Sequence, residues 1–133
     1  MGALIDASSL IAAERGDVDL EQLLQGEFDA EVAVSAITAS EMLHGLHRLT
    51  GGVRQARTER FVLAVLNRLP VMPFDLAAAR VHARLGADLK ARGVSVGAHD
   101  LIIAATAVSI DFAVITRDLR SFPRIDGLIV KRW

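Results

Sequence analysis

The sequence contains no cysteine. Disulfide staples, thiolate nucleophiles and cysteine-based zinc sites are excluded together. Lysine is nearly absent as well. Of 15 basic residues only Lys90 and Lys131 are Lys, and the rest are Arg. No apolar run approaches the roughly 20 residues that a membrane helix requires. The opening segment, Met1-Gly2-Ala3-Leu4-Ile5-Asp6, has no basic region and meets a charge early, unlike a secretory leader. These absences set the expectation of a cytoplasmic protein with no membrane segment. Linkers, repeats and low-complexity tracts are also missing. One domain, residues 1–133, is therefore expected, long enough to bury its own core.

What is present is apolar and rich in arginine. Hydrophobic residues make up 52% of the chain, slightly above the roughly 45–50% usual for globular proteins, which hints at a covered partner surface. The net charge of −1 by itself argues against nonspecific nucleic-acid binding. If cations neutralise four acids, however, sixteen acids fall to twelve against fifteen bases, a balance of +3. Arginine presents a planar fork that matches phosphate bidentately, so the bias towards Arg suits a phosphate-rich partner. Genome composition would explain it equally well.

The order of elements points to an α/β fold. Residues 3–5 read as a short buried strand. Ser8 or Ser9 can cap a helix that Gly16 ends, and Asp17 or Asp19 a second one running to Gln25, stopped by Gly26. Val32 to Val34 is the second strand. Thr38 followed by Glu41 matches a capping box, opening a helix to about Leu49. Gly51 and Gly52 interrupt, and residues 54–69 carry Phe61, Val62, Val65, Leu66 and Leu69 at helical spacing. Val71 to Phe74 is a third strand, placed at an edge by Pro73. Asp75 caps a long helix to Arg92. Asp100 opens an apolar helix, Leu101 to Val108, expected to be buried. Ala113 to Thr116 and Leu128 to Val130 complete five strands. Strands separated by helical stretches imply right-handed crossovers and a mostly parallel sheet between two helical layers.

Four acids fall where such a sheet places ligands. Asp6 closes the first strand and Asp118 follows the fourth, while Glu41 and Asp100 lie early in two helices. In open α/β sheets, ligands bind outside the carboxyl ends of the strands. Carboxylates gathered there repel one another unless a cation sits between them. Oxygen-only ligands suit Mg²⁺ or Mn²⁺, and a metal so held can drive phosphodiester hydrolysis. Each acid also has a plainer role: Asp6 as a helix cap, Glu41 as the partner of Thr38, Asp100 as a complement to a helix dipole, Asp118 as a turn residue. Ser8 could orient Asp6 or cap a helix, Thr116 could add a hydroxyl, and Arg117 could meet a phosphate or simply be solvated. His44, His47, His82 and His99 show no zinc-protease spacing.

At this point the chain resembles the PIN domain, in particular the VapC-type toxins of bacterial toxin–antitoxin pairs. The likeness spans the whole length. It rests on Leu4-Ile5-Asp6-Ala7-Ser8, Ser40-Glu41-Met42-Leu43-His44-Gly45, Ala98-His99-Asp100-Leu101-Ile102-Ile103-Ala104-Ala105-Thr106-Ala107 and Thr116-Arg117-Asp118, with Phe122-Pro123-Arg124-Ile125-Asp126-Gly127-Leu128 closing the chain. The resemblance implies strand order 3-2-1-4-5. It also implies a Mg²⁺- or Mn²⁺-dependent endoribonuclease restrained by a cognate VapB-like antitoxin. Asp6, Glu41 and Asp100 would be the acidic core, with Asp118 beside them as catalytic and metal ligands. Ser121 departs from the pattern, since many relatives carry an acid there.

The expected reaction is hydrolysis of RNA by metal-activated water. The expected partners are RNA, an antitoxin helix laid on the apolar faces of Leu10–Ala13 and Met42–Leu49, and a second copy of the chain in a homodimer. Three rivals stand beside this reading. A haloacid-dehalogenase-like phosphatase would need an acid at Ser8. A phosphoacceptor receiver domain would need paired acids after strand one and a strand between residues 76 and 112. An inactive PIN scaffold would have no use for four intact acids.

Overall fold

A computed structural model describes residues 1–27 and 31–133. Five strands form one sheet in the order β3-β2-β1-β4-β5: β1 (Ala3–Ile5), β2 (Val32–Ser35), β3 (Val71–Met72), β4 (Ala113–Thr116) and β5 (Val130–Arg132). Every ladder between them is parallel. Among the described residues, six α-helices surround the sheet: α1 (Ala7–Glu14), α2 (Leu20–Gln22), α3 (Ala36–His47), α4 (Gly52–Arg68), α5 (Leu76–Ala91) and α6 (Ala98–Ser109). The order expected from the resemblance is thus the order found, and the sheet is parallel throughout rather than mostly so.

The central strand explains the three layers. Ala3, Leu4 and Ile5 are all fully buried, as a parallel strand covered on both faces requires. Side chains alternate across a strand, so β1 feeds two cores. Leu4 joins Leu85 and Leu89 of α5 and Ile103 of α6. Ala3 and Ile5 join Leu10 of α1, Leu23, and Val65 of α4. Helix α6 is buried along Ile103 to Ala107, matching its nearly all-round apolar sequence.

Several local expectations shift, each for a physical reason. Helix α1 is capped by Asp6, whose side chain accepts from the Ser9 N–H, and not by Ser8 or Ser9. Helix α3 is capped by Ser35, whose hydroxyl accepts from the Thr38 N–H at 3.1 Å. The Thr38–Glu41 capping box is therefore absent, and Glu41 sits in the second turn. Asp19 caps α2, which passes into a π-helical turn, Leu23–Glu27, so Gly26 does not stop the helix. β3 ends at Met72 because Pro73 has no N–H to continue a ladder. β5 lies two residues later than its apolar run suggested. It is an edge strand, and pairing of Val114 with Val130 and Thr116 with Arg132 sets its position.

The first strand leaves no room at Gly2. A Cβ there would stand 2.3 Å from the Phe112 ring, which packs against the core. Gly2→Ala is expected to displace that ring and lower stability by about 1–3 kcal/mol, the usual penalty for overpacking. A urea melt measures it, and an unchanged midpoint would show that the ring yields freely.

Candidate metal centre

The strand order reverses between β1 and its neighbours β2 and β4, which opens a crevice at their carboxyl ends. Asp6 stands there, 4% exposed. The backbone N–H of Asp6 bonds Ile115 O at 3.1 Å, so the β1–β4 ladder fixes its position. Its carboxylate is held from three sides. Oδ1 accepts from the Ser8 hydroxyl at 2.8 Å and from the Ser9 N–H at 3.1 Å. Oδ2 accepts from the Thr116 hydroxyl at 2.6 Å. The cap role therefore uses Oδ1 and does not exclude a role in the crevice for the same side chain. Burial pushes the Asp6 carboxyl above its ordinary range, against these three hydrogen bonds, and the charge of Asp100 adds to the rise.

Glu41 projects from α3 and Asp100 from the first turn of α6. Burial also raises the Glu41 carboxyl. His99 opposes this, and the charges of Asp100 and Asp6 reinforce it. Three acids thus share one electrostatic neighbourhood although 94 residues separate the outer two. His99 Nδ1 lies 3.3 Å from Glu41 Oε1. Asp100 leans back over Gly97, where an added Cβ would come within 3.1 Å of its Oδ2.

Asp118 behaves differently. Its backbone N–H donates to Thr116 Oγ1 at 2.9 Å, but its carboxylate turns to Arg120. Arg120 Nε meets Oδ1 and Nη2 meets Oδ2, both at 3.0 Å. The Arg120 N–H donates to Oδ1 as well, also at 3.0 Å. These bonds hold the Asp118 carboxyl below its usual range. Of the accessory residues, Ser8 and Thr116 support Asp6, and the backbone N–H of Arg117 donates to Ser8 Oγ at 3.2 Å.

Among the described residues, no three acidic or histidine side chains stand close enough to form a ready-made metal cage. A hard cation does not need one. Mg²⁺ commonly keeps several waters and is held by one or two carboxylates together with substrate phosphates. The donor set, all carboxylate and hydroxyl oxygen, fits such an ion. Burial chiefly raises the carboxyls of Asp6 and Glu41, and the neighbouring acids add to the rise, a repulsion that a cation would offset.

Sequence reasoning passed over His99 and Arg120 as site residues. The pairing of His99 with Glu41 crosses from α6 to α3 and leaves no mark in sequence. Arg120 carried a faint signal, as a basic residue two positions after an acid in a turn.

The PIN domain family model matches residues 3–128. Ribonuclease VapC1 of Rickettsia felis is 32% identical over 130 residues, covering 98% of this chain and 95% of the relative. The tRNA(fMet)-specific endonuclease VapC of Salmonella typhimurium is 31% identical over 104 residues, covering 78% of this chain and 76% of the relative. The crystal structure of DNA-bound VapBC from Salmonella typhimurium superposes with a TM-score of 0.88 at 25% identity, covering 100% of this chain and 98% of that one. The chain belongs to the PIN-domain family. Within it, the likeness to VapC ribonucleases runs through the whole fold.

Proposed function

We infer that this chain is a metal-dependent endoribonuclease toxin, restrained by a cognate VapB-like antitoxin. The observation that carries the reading is the convergence of Asp6, Glu41 and Asp100, two of them with raised carboxyls, in a chain alike along 98% of its length to a VapC ribonuclease. VapC nucleases of the PIN family depend on metal in general. For this chain the oxygen-only donors favour Mg²⁺ or Mn²⁺. Asp6, Glu41 and Asp100 would hold the ion. Asp118, fourth in the expected set, engages Arg120 with both oxygens and is left outside this metal set.

A bound cation supplies Lewis acidity that activates water and offsets charge on the phosphate. The chain's own residues do the rest. Ser8, Ser9 and Thr116 fix the Asp6 carboxylate in one orientation. His99 steadies Glu41. No side chain need form a covalent intermediate. The receiver alternative lacks support, because residues 76–112 contain α5 and α6 and no strand. The phosphatase alternative fails at Ser8, which donates to Asp6 instead of supplying a second acid.

A groove of about 640 Å³ between α1, α3 and α4 starts beside Glu41. Leu10, Ile11, Met42, Leu49 and Phe61 line it. Glu14, Arg15, Arg48, Arg54 and Arg57 rim it as well, so it would take an amphipathic antitoxin helix, in keeping with the expected faces of α1 and α3. The homodimer belongs to the same reading, as does a cytoplasmic site of action. Among the described residues, no helix is long and apolar enough to cross a membrane.

The test is cleavage of an RNA panel with Mg²⁺ or Mn²⁺ and with EDTA. Cutting is expected with either cation and none with EDTA, alongside no labelling by acetyl phosphate. Undiminished cleavage by metal-free protein would sink the mechanism.

A further inference from the structure

The fourth acid, Asp118, is bonded differently from the other three, with both carboxylate oxygens on Arg120. We propose that Arg120 grips a backbone phosphate of the RNA at the rim of the metal centre, and that Asp118 is its positioning residue. The proposal rests on the ribonuclease reading and deepens it.

A guanidinium has five N–H donors in a planar fork. Arg120 spends its Nε–H and one Nη2–H on Asp118, each at 3.0 Å. That side-on pairing leaves the other edge, both Nη1–H groups and the second Nη2–H, pointing away from the acid. This edge has the geometry that binds a phosphate through two parallel bonds. The Arg120 side chain is 88% exposed while that of Asp118 is 30% exposed, so the open edge faces solvent rather than protein.

The fork is unusually well anchored for an exposed arginine. Asp118 also accepts from the Arg120 backbone N–H, which locks the turn between them. The N–H of Asp118 donates to Thr116 Oγ1, and Thr116 donates to Asp6 Oδ2. A continuous chain of hydrogen bonds therefore ties the guanidinium to the central carboxylate. Arg120 also feels the charge of Asp100, one of the acids proposed to hold the ion. An arginine held in place before substrate arrives loses less freedom on binding. A turn-stabilising ion pair this exposed would matter little to the fold, so stability and substrate binding can be separated by experiment.

The experiment compares wild type, Arg120→Ala, Arg120→Lys, Asp118→Asn and the double variant Arg120→Ala/Asp118→Asn. It measures thermal melting, Mn²⁺ affinity by calorimetry, and KM and kcat on an RNA substrate at several salt concentrations. Arg120→Ala is expected to raise KM by roughly ten- to a hundredfold, the loss of a charge-assisted pair, with melting temperature unchanged. Its salt dependence should fall by about 0.7 in log–log slope, one phosphate contact on a single strand. Arg120→Lys should recover part of KM, because it keeps the charge and loses the fork. Asp118→Asn should raise KM without weakening Mn²⁺ binding, and the double variant should be no worse than Arg120→Ala alone, since both act through one contact.

Wild-type KM and salt slope in Arg120→Ala would overturn the proposal. So would weakened Mn²⁺ binding in Asp118→Asn, with an effect that adds to that of Arg120→Ala, because Asp118 would then be a metal ligand. Failure of the ribonuclease reading itself looks different, since wild type would then cleave no RNA under any metal condition.

Discussion

Asp6→Asn is expected to remove RNA cleavage by more than about a hundredfold, since it takes away a metal-holding carboxylate, while the metal-free fold stays intact. Asparagine is as good a helix cap as aspartate. Its oxygen can accept from Ser8 and Ser9 as Asp6 does. Its amide can donate to Thr116 Oγ1, whose proton can turn to the Asp118 carbonyl 3.2 Å away. Nothing in the local hydrogen bonding is stranded. What is lost is the negative charge.

That charge has a signature in pH. Burial raises the Asp6 and Glu41 carboxyls in the folded protein. In the window from the ordinary carboxylate range, about pH 4, up to these raised values, the folded state binds more protons than the unfolded state. Stability then falls as pH rises through the window, and the wild type carries the whole penalty above the raised values. Metal-free wild type should accordingly lose stability as pH rises from about 4 through the raised carboxyls of Asp6 and Glu41. Asp6→Asn should show a flatter profile and an equal or higher melting temperature at pH 7. Saturating Mg²⁺ should reverse the order: a ligand at one hundred times its Kd adds about 2.7 kcal/mol to the protein that binds it, and the variant should gain much less. Thermal melts in EDTA and in Mg²⁺ across this pH range, paired with cleavage assays, provide the check. An Asn variant that cuts RNA at the wild-type rate would reduce Asp6 to a helix cap.

Phe122→Ala should have the largest effect on stability, a loss of about 3–5 kcal/mol, typical of truncating a buried aromatic. Phe122 is 1% exposed and is among the largest fully buried side chains. It belongs to the core cluster of Leu4, Ile103, Val114 and Ile125. It also begins the short 3-10 turn Phe122–Arg124 immediately after the segment that carries Asp118 and Arg120. That segment is thus pinned by Thr116 at one end and by Phe122 at the other. Phe122→Leu should lose less than about 1.5 kcal/mol, because most of the volume stays. Urea melts at constant m-value separate the two variants. A loss below about 1 kcal/mol for Phe122→Ala would mean that the turn is not anchored by this ring.

The sequence by itself determined the alternation of strands and helices, the cap Asp75, the edge position of β3, and the presence of acids near strand ends. Those features depend on short-range causes: side-chain period, a cap bonding three residues on, a proline without an N–H. The resemblance then added strand order. Tertiary structure decided which groups touch. Thr116 reaches Asp6 across 110 positions of sequence because the parallel pairing of Ile5 with Ile115 brings their strand ends together. The same pairing lets Asp6 cap α1 and still present its second carboxylate oxygen to Thr116 at the crevice. Glu41 is not engaged in capping α3 because Ser35, at the end of β2, holds that cap. Asp118 pairs with Arg120 because a turn of two residues lets the guanidinium fold back on it. Local patterns are written in neighbouring residues, whereas these partnerships arise only when sheet register brings distant turns to one edge.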